Sequence, residues 1–589
     1  MKTISILLSL SLCVLPSASI AANIKSPVRN PGSLVHLTTR SWFTFDPAAA
    51  FDAVSFIVTG NVYESLITYR DMKDPDALIP FLASEVPSRE NKLVSENGLV
   101  YRFPVRQGVK FHSGESLTPE DIRYSLLRFM LHDIEGGPSA LLLRPILGVY
   151  TTRDGKGNPI IDFEAAAKAV VVDGDAVVVT LKKPDATFLK ALAALPIVVS
   201  KKWSVKNGEW DGSEKTWMRY NNRPLGESFY HANANGTGPF KVKRADRAKG
   251  DLLLARHNEY WRKPAALEDI MMRVVPSKAL RLWMLENGDA DTSYFEDRDY
   301  MEAKELMDVQ VAEQGVYASL GEVLFFGFRV DSRSTRIGSG KFDGKGVPTD
   351  FFSDINIRKG FAHALDYKGY FRRGLGMRGK RAAGAIPDFL MEGQKPSRMK
   401  MSIRKARKYF KKAFDGKAWE NGFTVTLAYS PSNASRIVLA RLLKANLEKI
   451  NPKFKLEIRP LKSSELYDEA ERHRLPLFIA GYYADYPDAH SFAFGMLHSS
   501  GYYPKAQRYS NSEIDALVET AAATPDREKR YAVYREIVKK AEADLPQVYT
   551  YQPARFSAGR LWVQGLGNDE NVNNLRLNNF PYFYALSKQ

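Results

Sequence analysis

A mixed α/β fold divided into more than one compact unit is what this sequence predicts. Residues 99–105 and 176–181 alternate apolar and polar side chains with the period of a half-buried strand. Between them stands a strong helix start, Thr118-Pro119-Glu120-Asp121. Thr118 can accept at the N-cap, Pro119 suits the first helical position, and the acidic pair favours the positive end of the helix dipole. Ile122, Leu126, Phe129 and Met130 then follow at helical spacing. A chain of 589 residues exceeds what one core serves, and about two to four units follow from that length.

A second helix start, Asn511-Ser512-Glu513, leads into Ile514, Leu517 and Val518. Residues 333–352 and 154–158 are rich in Gly and charge and are expected as surface loops. The first residues form a leader rather than a fold element. Lys2 precedes an apolar run over residues 4–15, broken only by Ser5, Ser9 and Ser11, and Ser17, Ala18, Ser19, Ile20, Ala21 and Ala22 follow. That is the pattern of a secretory signal peptide, 1–21, with cleavage after Ala21 or Ala22; the run is well short of the ~20 residues a membrane span needs. Cys13, the only cysteine, lies inside the run with Leu12 before it, so a lipid-anchor role is not expected.

The formal charge of +17 would suit a nucleic-acid binder or a surface drawn to anionic lipid. The basic residues are spread along the whole chain, however, and no nucleic-acid partner is expected. Their densest cluster, from Arg398 to Lys412, fits the solvated face of a helix whose apolar side is Tyr409, Phe410 and Phe414. The motifs of hydrolases are missing: there is no Gly-x-Ser-x-Gly and no His-Glu-x-x-His. His112, His363 and His490 stand alone, no metal or other cofactor is expected, and Gly338-Ser339-Gly340-Lys341 has the wrong spacing for a phosphate-cradling loop.

A series of short motifs then runs in one order along the chain. It begins with Phe45-Asp46-Pro47, Asn61-Val62-Tyr63-Glu64-Ser65-Leu66 and Ile79-Pro80-Phe81-Leu82-Ala83. Tyr101-Arg102-Phe103 leads into Val105-Arg106-Gln107-Gly108-Val109-Lys110-Phe111-His112-Ser113-Gly114, joined to residues 117–122. Asn235-Gly236-Thr237-Gly238-Pro239-Phe240, Asn258-Glu259-Tyr260-Trp261, residues 357–366 and Ala484-Asp485-Tyr486-Pro487-Asp488 complete it. In order and spacing this resembles the family 5 extracellular solute-binding proteins, over nearly all of the chain after the leader.

The resemblance implies a bilobed periplasmic-binding-protein fold of type II. Lobe I would comprise residues 23–60, 166–276 and 548–589, with an extra subdomain over 61–165, and lobe II would comprise 277–547. The chain would cross between lobes near Pro276 and residues 545–548. It also implies a periplasmic, monomeric component of an ABC importer that captures peptides by hinge closure, delivers them to permease subunits in the inner membrane, and catalyses nothing. Nickel complexes, sugars and opines remain alternative ligands on the same fold, and an exported hydrolase is the remaining enzyme reading.

Within that resemblance Asp485 matches the carboxylate that pairs with a peptide's buried ammonium, which needs a partner because an unpaired buried charge is costly. Tyr482 takes a place often held by Trp, and Tyr483 sits beside it. Trp42, Phe43 and Phe45 could line the cleft from the first lobe or belong to its core. Arg329, after the apolar run 323–328, is a candidate for a ligand carboxylate, since a guanidinium makes two-pronged contacts with such groups.

Overall fold

The computed structural model describes residues 27–589 except 71–73, 317–318, 392–393, 395–396, 398, 432 and 568–580. The expected leader lies outside the described residues. Two β-sheets organise the rest. The first has seven strands in the order Val309–Val316, Ala554–Arg560, Thr292–Ser293, Ser33–Thr38, Asp269–Val274, Asp251–Arg256 and Phe240–Asp246. The second has five, in the order Phe454–Pro460, Phe423–Tyr429, Leu477–Tyr483, Ser319–Phe326 and Gln547–Tyr549. Each sheet carries helices and its own buried clusters, which makes the molecule two-lobed.

The second sheet shows why its central strands read as unbroken apolar runs. Leu324 and Phe326 enter the apolar layer on one face, while Val323 and Phe325 enter the layer on the other. A strand buried on both sides loses the alternation of a half-exposed one.

The expected boundaries need correction. Thr292–Ser293 and Val309–Val316 pair into the first sheet, next to Ser33–Thr38 and Ala554–Arg560. The chain therefore leaves the first sheet at Val316 and enters the second at Ser319, some forty residues beyond Pro276. The return crossing runs from Tyr549 to Ala554 rather than over 545–548. Ala176–Thr180 pairs with Val100–Pro104 on one side and Val170–Asp173 on the other in a separate three-stranded sheet, so the extra piece of lobe I extends past residue 165.

The predicted helix start is a full capping box: Thr118 accepts from the Asp121 amide, and the Asp121 carboxylate accepts from the Thr118 amide, opening helix Pro119–His132. Asn511 likewise caps Ser512–Ala523. Helix Ile403–Phe410 buries Ala406 and Phe410 and leaves Arg404, Lys405, Arg407 and Lys408 exposed, the solvated face expected of that basic cluster.

The ordered motifs bind one another. Glu64 accepts from Thr237 Oγ1 at 2.7 Å, Tyr260 Oη at 2.7 Å and Trp261 Nε1 at 3.0 Å, tying three motifs at one buried carboxylate. His112 and Ser113 fasten the 235–238 turn, through Gly238 O at 3.0 Å and Asn235 Oδ1 at 3.0 Å. Asp46 is fully buried and takes both arms of Arg128, at 2.7 and 2.8 Å, with Glu209 3.3 Å from the same guanidinium. Among the described residues no helix is long and apolar enough to cross a membrane.

Candidate functional site

The carboxyl ends of Leu477–Tyr483 and Phe423–Tyr429 point at the first lobe, the place where open α/β sheets hold ligands. Arg555, at the start of the first-sheet strand Ala554–Arg560, donates to Tyr483 Oη at 2.8 Å, so the two sheets meet end to end there. Between the strands Ser319–Phe326 and Leu477–Tyr483 the register shifts after Leu320, a bulge that re-aims side chains at the sheet end. Gly321 makes this possible, since a Cβ there would lie 1.9 Å from the Tyr551 ring. The bulge presents Glu322, whose buried carboxylate accepts from Tyr370 Oη at 2.6 Å and Asn433 Nδ2 at 2.7 Å.

Asp485 follows two residues after the strand. Tyr482 Oη donates to its Oδ2 at 2.8 Å, Ser491 Oγ lies 3.5 Å from the same oxygen, and the Asp485 amide donates to Ser491 Oγ at 2.9 Å. Burial pushes this carboxyl up to about 6, against the pull of the Tyr482 and Ser491 hydrogen bonds. No cationic side chain among the described residues pairs with it. Tyr482 reaches it because helix Ala489–Leu497 carries Gly495, where a Cβ would stand 2.3 Å from the phenol oxygen. Phe492, at 5.1 Å and 89°, holds the ring edge-to-face.

Three residues on, Asp488 has a different environment. Its Oδ2 lies 2.7 Å from Lys190 Nζ of the first lobe and 3.0 Å from Arg530, and its Oδ1 accepts from the His490 amide as helix cap. Burial works to raise this carboxyl, but Lys190 and Arg530 outweigh it and hold it well below the usual carboxylate range. Lys190 also reaches Asp76, so one buried ammonium joins the lobes. Lys183 and Tyr150 of the first lobe meet Glu519 of the second in the same region.

The other expected site residues fall elsewhere. Trp42 and Phe45, 4% and 0% exposed, belong to the first-lobe core and stack on each other at 5.5 Å and 11°. The Asp46–Arg128 pair explains it, because it pulls that turn inward and leaves Phe43 outside at 60% exposure. Arg329 lies at the wrong end of the sheet. Ser319 pairs with Tyr483 and Phe326 with Leu477, so seven residues at about 3.3 Å each put Phe326 roughly 20 Å from the Tyr483 end, and Arg329 follows three residues later. Tyr483 stands at the strand end that meets Arg555 of the first sheet, 40% exposed.

Arg436 is the residue that sequence reasoning missed. It lies in the first turn of helix Ser435–Ile450, past the carboxyl end of Phe423–Tyr429, with Glu322 at 3.6 Å and its Nε without a hydrogen-bond partner. Burial works against its charge, which Glu322 and the hydroxyls of Tyr467, Tyr503 and Tyr483 favour. Its signal in the sequence is a lone Arg after a strand and a short loop, the position the carboxyl-end rule marks. The carboxyl end of the second sheet thus holds, among the described residues, a carboxylate without a cationic partner and a weakly paired guanidinium near one group of tyrosines.

The chain matches the family described as bacterial extracellular solute-binding proteins, family 5, over residues 77–504. It is 23% identical over 518 residues to Heme-binding protein A of Haemophilus influenzae, covering 86% of this chain and 84% of that protein. To Dipeptide-binding protein DppE of Bacillus subtilis it is 22% identical over 524 residues, covering 86% of this chain and 84% of that one. Among solved structures, the periplasmic binding protein DppA from Helicobacter pylori, in complex with the peptide STSA, superposes with a TM-score of 0.73 at 18% identity, covering 95% of this chain and 98% of the other. With the match spanning residues 77–504 and a two-lobed fold around a cleft, the chain belongs to the family 5 bacterial extracellular solute-binding proteins.

Proposed function

We propose that this protein captures short peptides with a free amino terminus in the cleft between its lobes and hands them to the permease of an ABC importer, without chemistry of its own. The observation that carries the reading is Asp485: a half-buried carboxylate just past the end of strand Leu477–Tyr483, hydrogen-bonded by Tyr482 and Ser491, with no cation beside it among the described residues. A peptide ammonium supplies the missing charge, and a buried charge-assisted hydrogen bond is stronger than a neutral one. Arg436 serves as partner for the ligand's carboxylate, and Tyr483 packs along the peptide. Export through the leader places the protein in the periplasm, and it acts as a monomer.

The test is calorimetry with one short peptide in four forms: free, N-acetylated, C-amidated and doubly blocked. N-acetylation is expected to cost at least tenfold in affinity, C-amidation to cost affinity that Arg436→Gln also removes, and mass spectrometry is expected to return the peptide intact after long incubation. Equal affinity for the free and N-acetylated forms refutes the ammonium anchor, and turnover of the peptide refutes the absence of chemistry.

A further inference from the structure

The arginine that the sequence pointed to as an anion partner lies in a cavity of its own. This cavity, about 460 Å³, opens on the second lobe at the end of the sheet away from Asp485, and Phe328, Arg329, Ser353, Arg358, Arg508 and Asp544 are in its wall. We infer that it is a second ligand site, for a small phosphate-bearing anion.

Three guanidinium groups and one carboxylate line it. Arg358 is buried and spends its donors on backbone carbonyls, of Phe352 at 2.6 Å, Ser353 at 2.9 Å and Asp544 at 2.8 Å, while its plane covers the Phe328 ring at 4.5 Å. Asp544 is engaged as well, its Oδ2 accepting from Tyr509 Oη and Asn511 Nδ2, each at 2.7 Å. Arg358 and Asp544 therefore offset each other as fixed parts of the wall. Arg329 and Arg508 remain. Both are exposed in the wall of the same cavity, and Arg508 Nη1 lies 3.5 Å from the Arg329 backbone carbonyl. Among the described residues neither has a carboxylate within ion-pair distance.

Two guanidinium groups without carboxylates of their own give the cavity a positive lining, which favours an anion. The position of Arg508 is set by the backbone: it takes a left-handed conformation, φ +54°, to end helix Tyr502–Gln507. Planar guanidinium forks bind phosphate oxygens in pairs, and Ser510 brings a hydroxyl to the same wall, while the Ser353 hydroxyl donates to the Phe328 carbonyl at 2.5 Å. The volume exceeds that of inorganic phosphate, so a small phosphate ester fits the space better than the bare ion. Roughly 20 Å of sheet separates this cavity from Asp485, and the inference stands independently of the peptide reading.

The test is isothermal titration of inorganic phosphate and of glycerol 3-phosphate into the full chain at constant ionic strength, for the wild type and for a variant carrying Arg329→Gln and Arg508→Gln. Both positions are exposed, so the variant is expected to fold and to keep its affinity for peptide. Saturable binding by the wild type, weakened at least tenfold in the variant, is the expected result. No saturable binding of either probe, or equal binding in both proteins, overturns the site.

Discussion

Replacing Asp485 by Asn tests both the site and the physics behind it. The change keeps the shape and leaves an oxygen to accept from Tyr482, now at 2.8 Å, so the loop before helix Ala489–Leu497 is expected to hold. What it removes is the charge. Losing one partner of a buried ammonium–carboxylate pair costs about 2–5 kcal/mol of binding. At 1.4 kcal/mol per factor of ten, affinity for a free peptide falls by about thirty-fold or more. An N-acetylated peptide, neutral at that end, is expected to bind both proteins alike. The unliganded protein should move the other way. Burial lifts the Asp485 carboxyl from 3.8 to about 6. Its stabilising contribution is fully present below pH 3.8, where it is protonated in both folded and unfolded chains, and is lost as pH rises through about 6. About two pH units correspond to up to about 3 kcal/mol at neutral pH, which the variant regains. Calorimetric titration at pH 7.5 gives the first quantity and urea unfolding of ligand-free protein gives the second. The wild type should also bind free peptide about ten times more weakly at pH 5 than at pH 7, because only the ionised carboxylate anchors the ammonium. A variant that keeps wild-type affinity for the free peptide refutes the reasoning.

Three further outcomes follow from neighbouring residues. Lys190→Met leaves Asp488 with Arg530 alone and is expected to destabilise by about 3 kcal/mol, read by urea unfolding, since a buried charge loses a partner. Burial lifts Glu64 to about 7, despite the hydrogen bonds from Thr237, Tyr260 and Trp261. Its contribution to stability is therefore present below about pH 4.5 and lost as pH rises through 7, and Glu64→Gln is expected to flatten the unfolding free energy between pH 5 and 8. Gly495→Ala places a methyl 2.3 Å from Tyr482 Oη and should cost about 1–3 kcal/mol of stability, with weaker peptide binding because Tyr482 must leave Asp485.

Local chemistry was legible in the chain itself. A capping box, a solvated basic helix face and the strand alternation at residues 100–104 depend on neighbours a few positions away, and they stand where the sequence puts them. The order of motifs was enough for the two-lobed fold. Their mutual contacts explain why: Glu64 and His112 each bind residues more than a hundred positions distant, so these motifs belong together in space.

Register and partnership were decided only in three dimensions. Thr292–Ser293 and Val309–Val316 are strands with no local mark of which sheet they join, and their pairing moved the lobe boundary from Pro276 to Val316. Trp42 and Phe45 have the same apolar pattern whether they line a core or a cleft, and the ion pair of Asp46 with Arg128, far along the chain, turned them inward. An antiparallel register carried Arg329 away from the site, while the parallel pairing of Phe423–Tyr429 with Leu477–Tyr483 brought Arg436 toward the same end as Asp485. The nature of Asp485 as an acid was plain from the sequence. That it is half-buried, with no cation beside it among the described residues, is a property of everything packed around it, and the tertiary structure alone could set that.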